Sequence, residues 1–179
     1  AVEAGLVDGG KIFVDASMVE ADASNNSVRK LEKVQEVEQY QELLKRLEDR
    51  SRDGIGEYGQ VNRTHISSTD PDASLGREKG RQGLYYKVHR SVDEANEIIT
   101  TCDVTTGAVN EAHVLAQTVK EHEAAVGREV KTVVADSKYG TGDNYRELKQ
   151  MGKCTHMKDL SACLEPRHAD VFGKDRFEY

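Results

Sequence analysis

Two short apolar runs in this chain each end on an aspartate. In "GKIFVDASMVEA", Ile12, Phe13 and Val14 lead into Asp15, and in "TVVADSKYGT", Val133, Val134 and Ala135 lead into Asp136. Runs of this length bounded by polar and glycine-rich sequence fit buried strands of an α/β sheet. Ligands of such sheets gather just beyond the carboxyl ends of the strands. Each acid is therefore expected at the rim of a sheet, facing a crevice.

The remaining chain supplies the other elements. Residues 12–21 read as the first strand, closed by the turn sequence "DASNNS". From Val28 to Asp53, Leu31, Val34, Val37, Leu44 and Leu47 form an incomplete apolar stripe among helix-forming, charged residues. This predicts a long helix inserted after the first strand and leaning on the body, in preference to a coiled-coil dimer. "DGIGEYG" breaks it, and "STDPDA" reads as a turn in which Asp70 and Asp72 are turn residues. Residues 84–92 alternate, a turn follows near Asp93 to Asn96, and "EIITTCDVTTG" completes an expected antiparallel hairpin. Helices are predicted over Asn110 to Val126, with Gly127 as the stop, and over "GDNYRELKQM" ahead of Gly152. "VKTVVAD" and "CTHM" are the last strands.

Three early strands followed by helix, strand, helix, strand is the order of a ribonuclease H-like fold. The expected architecture is one α/β domain over residues 1–179, with a helical insertion at about 28–53. Its mixed sheet has about five strands, three antiparallel and then two parallel, flanked by helices. On that sheet the first strand and the strand after the first helix are neighbours, so Asp15 and Asp136 should meet.

Composition sets the bounds. A chain of 179 residues is long enough for a real core, and no run approaches a membrane span or a signal peptide, so the chain reads as soluble and cytoplasmic. Three scattered cysteines form neither a disulfide framework nor a zinc pair and read as buried or idle thiols. The six histidines are dispersed and suggest no metal site. A net charge of -7 disfavours nucleic-acid binding by the chain as a whole. Locally, however, "REKGRQGLYYKVHR" sets Arg77, Lys79, Arg81, Lys87 and Arg90 against the single acid Glu78. Arg81, Lys87, Arg90 and the neighbouring Lys138 are candidates for phosphate contacts, which orient DNA without reading its sequence.

The segments "FVDASMVEADASNNSV", "STDPDA", "YKVHRSVDEANEIITTCDVTTGAVNEAH" and "VVADSKYGTGDNY", in this order, resemble the catalytic domain of bacterial insertion-sequence transposases of the DDE type. The resemblance covers nearly the whole chain. It implies that Asp15 and Asp136 are catalytic metal ligands, with Tyr139 as the aromatic after the second acid. It also implies Mg2+ or Mn2+ as cofactor, DNA ends and target as partners, and a homodimer in the synaptic complex. Two divalent ions roughly 4 Å apart can serve both the attacking and the leaving oxygen of a phosphodiester, and magnesium takes oxygen ligands while keeping several waters.

The family's third acid, a glutamate, is expected beyond Tyr179, because Glu165 and Glu178 lie too early for it. With the opening "AVEAGLVDGG", both ends look cut, and the chain by itself is expected to be inactive. Two other readings share these residues. One is a metal-dependent nuclease on the same scaffold; the other is an inactive remnant serving as an interaction module. Asp15 and Asp136 lying far apart would favour the remnant.

Overall fold

The computed structural model describes residues 1–30 and 65–158. Its elements are β1 (Lys11–Glu20), β2 (Val28–Lys30), β3 (His65–Ser67), β4 (Ser74–Glu78), β5 (Arg81–Asp93), β6 (Ile99–Thr106), α1 (Leu115–Val126), β7 (Thr132–Ala135), α2 (Gly142–Gln150) and β8 (Cys154–His156). The main sheet runs β4-β5-β1-β7-β8, with β6 also paired to β5. β1 and β6 each pair antiparallel with β5, β7 adds in parallel to β1, and β8 in parallel to β7. This is the expected ribonuclease H-like sheet, with six strands in place of about five.

The extra strand comes from β5, which is thirteen residues long. Residues 81–85 pair with β4 and residues 86–92 with β6, so two strands share one edge. The β4–β5 connection is tight: Lys79 (φ 49°) and Gly80 (φ 84°) both adopt left-handed conformations, as a two-residue type I′ turn requires. Sequence alternation located β5 only from residue 84, because the glycines at 76 and 83 erase the apolar signal on both strands of this hairpin.

Val28–Lys30, expected to begin a helix, instead forms β2 and pairs with β3. Three residues carry no period of their own, and their partner lies more than thirty positions away. The remainder of the expected helix, to Asp53, lies outside the described residues.

One face of the sheet is covered by α1 and α2. Ile12 and Val14 of β1 and Val133 of β7 pack there against Leu115, Val119, Leu148, Val130 and Tyr139, all of them buried. α1 ends as anticipated, with Gly127 at φ 70° and its N–H returning to the Glu123 carbonyl. A smaller cluster of Ala21, Ala73 and Leu84 lies beside the β2–β3 pair and includes Val28 and Tyr86. There Asp70 accepts the Tyr86 hydroxyl at 2.6 Å, a structural use of a turn acid. Of the expectation that the cysteines are buried or idle thiols, burial does not hold for Cys102 and Cys154, which are free and exposed. No helix among the described residues is long and apolar enough to cross a membrane.

Two histidines lie in the layer between β5, β6 and α1. His89 is 2.8 Å from the Thr105 hydroxyl, and His122 is 2.6 Å from the Thr100 hydroxyl. Burial, the largest cause, lowers both pKa values; Lys87 adds to this at His89, while Asp93 and Glu123 oppose it at His122. Both rings therefore bind a proton less readily in the folded chain than in the unfolded one. The unfolded chain takes up protons below its ordinary histidine value of 6.5, so this contribution is full above that pH and is lost as pH falls towards the depressed folded values. Thermal midpoints should therefore be flat from pH 8 to 7 and fall below about 6.5. A His122→Gln variant should show a shallower fall over the same window, and an equally steep fall would exclude His122 as its source.

Candidate active site

β1 and β7 fix where the two acids stand. Their parallel register pairs Ile12 with Val133, Phe13 with Val134 and Val14 with Ala135. The next step brings Asp15 beside Asp136, on neighbouring strands whose spacing is about 4.8 Å. Side chains alternate along a strand. Ile12, Val14, Val133 and Ala135 face the helices, so Asp15 and Asp136 both face the other way. Asp136 keeps an extended backbone (φ -73°, ψ 177°), which carries the alternation past the last strand residue. Both acids are exposed.

A 3-10 turn, Ser137–Tyr139, takes the chain away from the rim, and Asp136 caps it by accepting the Lys138 N–H at 2.9 Å. One carboxylate oxygen is committed to the turn, leaving the other for a ligand. Tyr139 is fully buried beneath, and its hydroxyl has no hydrogen-bonding partner among the described residues. Its pKa is pushed well up, first by burial and then by the charges of Glu111, Asp15 and Asp136.

The four candidate cations do not form one patch. Cross-strand partners share a face, and Arg90 is paired with Asp15, which puts it on the open face with the first acid. Arg81 and Lys87 fall on the opposite face by the alternation of β5. Lys87 is half-buried and donates to the Val109 carbonyl at 2.7 Å. Burial, its largest influence, lowers its pKa, and Glu111 opposes that effect. Lys138 is largely exposed but paired with Glu111 at 3.0 Å. That hydrogen bond and charge raise its pKa, with burial opposing and Asp136 and Glu78 adding smaller effects.

Two residues important to this rim were not singled out in the sequence. Glu111 is nearly buried at the start of the 3-10 turn Glu111–Val114. The sequence shows only an acid in a first helical turn, an ordinary placement. Asn144 donates to the carbonyls of Ala112 (2.9 Å) and Tyr139 (2.8 Å) and clamps the two 3-10 turns together from within. An asparagine inside a helical pattern gives no hint of that.

Among the described residues, no three His, Cys, Asp or Glu side chains are grouped so as to hold a metal ion. The pair present is nonetheless the right chemistry for a hard cation: two carboxylates on one face, open to solvent, with waters and phosphate oxygens able to complete the shell.

Strand order and direction define a ribonuclease H-like domain. The family described as Transposase DDE domain matches residues 13–160, and the chain belongs to that family. The match contains both acids and all or most of every strand in the main sheet. Transposases of this family act on DNA and generally use divalent metal ions. A comparison with curated proteins found no match.

Proposed function

We propose that this domain carries out hydrolysis and strand transfer of DNA phosphodiesters at insertion-sequence ends, with Asp15 and Asp136 holding Mg2+ or Mn2+. The observation that supports this reading is the register of β1 and β7, which pairs Val14 with Ala135, the residues immediately before the two acids. A divalent ion there would activate the attacking oxygen and stabilise the leaving one. Asp15 and Asp136 serve as ligands, not as general bases. Arg90, beside Asp15, is suited to a phosphate oxygen close to the reacting bond, while Arg81, Lys87 and Lys138 would guide the DNA backbone from the neighbouring edge. Joining two ends to one target calls for two copies, hence a homodimer in the working complex.

The test is cleavage and end-joining of terminal-repeat DNA by the full-length protein with Mg2+ or Mn2+. Cleavage with joining supports the reading; cleavage without joining would identify a nuclease on the same scaffold. The phosphate contacts have their own signature. Reversing the charges of Arg90, Lys87 and Lys138 should weaken binding equally across unrelated sequences and reduce the slope of log K against log salt by roughly 0.9 per lost contact. An unchanged slope would remove these residues from the DNA interface.

A further inference from the structure

Lys138 is a liability at this rim. Its ammonium sits on a flexible stem two residues from Asp136, whose free oxygen is the one a cation would need. A lysine in that position competes with a metal ion for the same carboxylate. The fold answers with Glu111, whose side chain is 9% exposed and lies 3.0 Å from the Lys138 ammonium. The two turns that carry this pair are clamped independently by Asn144. Glu111 is therefore not needed to hold them together, and an ion pair whose lysine is 65% exposed adds little to stability.

We infer that Glu111 is a positioning residue that ties up the Lys138 ammonium and keeps it off the Asp136 carboxylate. The inference rests on reading Asp136 as a metal ligand and goes beyond it, because Glu111 acts through Lys138 and not as a ligand. Lys138 is gripped at both ends: its main-chain N–H caps onto Asp136 and its side chain is turned to Glu111. Of the remaining anionic groups that act on the lysine, Asp136 and Glu78, Asp136 has the larger influence.

The experiment is a Mn2+ titration of the full-length protein followed by electron paramagnetic resonance, with thermal melts to confirm folding. Glu111→Gln should weaken Mn2+ binding by about 10-fold, the low end of losses for outer-shell partners of metal ligands. Lys138→Met should bind Mn2+ at least as tightly as the parent. The double variant E111Q/K138M should recover the affinity of Lys138→Met alone, since no ammonium is left to compete. A double variant as weak as E111Q would show Glu111 to be merely structural and overturn the inference. So would an E111Q variant that binds normally while Asp136→Asn does not. If Asp136→Asn itself leaves binding unchanged, the metal-ligand reading fails, a different result from failure of the Glu111 role. Should E111Q not fold, Glu111→Asp, which keeps the charge with a shorter reach, carries the same comparison: K138M must restore whatever affinity it loses.

Discussion

Exchanging Asp15 or Asp136 for asparagine in the full-length protein is expected to reduce DNA cleavage by at least about 100-fold, the loss that follows when reacting groups are misplaced by about 1 Å. Asparagine keeps the size of the side chain and its capacity to accept the cap bond from Lys138 N–H, so the fold should survive. What disappears is the charge that holds a hard cation. Because both acids serve the same ion, the losses should not add: the double variant should be scarcely worse than either single one. Asp70→Asn is the control. Its carboxylate binds the Tyr86 hydroxyl in the smaller core, so this substitution should cost about 1 kcal/mol of stability and leave cleavage unchanged. Full activity in Asp15→Asn or Asp136→Asn would reject the ligand assignment.

The largest stability effect is expected far from the rim, at Lys153. Its side chain is 4% exposed and its ammonium meets Glu123 at 2.6 Å and Glu129 at 3.3 Å, where β8 begins beside the end of α1. Glu123 also accepts the Val130 N–H. Burial pushes the Glu123 carboxyl up, but the Lys153 hydrogen bond and the Val130 N–H outweigh it and hold its pKa below the ordinary value. Lys153→Met removes the cation and leaves a sheltered carboxylate without its partner. The lysine is buried but Glu123 is partly and Glu129 largely exposed, so the loss should fall below the cost of breaking a fully buried pair, at about 2 kcal/mol, which for a chain of this size lowers the melting midpoint by about 6 °C. The pair itself need not be strongly stabilising, so replacing both members with apolar groups, as in K153M/E123L, should be less damaging than the sum of the two single changes. Additive losses in calorimetry would contradict this.

Much of the site was legible because it depends on local signals that survive folding. An apolar run marks its strand, and β1 and β7 lie where those runs are; the acid also marks the end of β7, whereas β1 continues past Asp15 to Glu20. Gly127 marked the end of α1 for a backbone reason that tertiary contacts do not override. The order of elements then implied that the two strands are neighbours. The opposite holds for Arg81, Lys87, Arg90 and Lys138. They form one basic cluster on paper, but a strand deals alternate residues to opposite faces, so Arg90 parts from Arg81 and Lys87. Glu111 and Asn144 matter through contacts with residues more than twenty or thirty positions away, and neither has a chemical type or spacing that announces it. β2 escaped for the same reason, since its strand character comes from β3 alone.

The claim on which the rest depends is that Asp15 and Asp136 hold one cation between them. Anomalous diffraction from crystals of the full-length protein soaked in Mn2+ tests it directly. The expected result is a Mn2+ peak within about 2.0–2.4 Å of an oxygen from each carboxylate, on the sheet face opposite α1 and α2. Manganese bound elsewhere in the domain while both carboxylates stay bare, or the two side chains on opposite faces of the sheet, would contradict it.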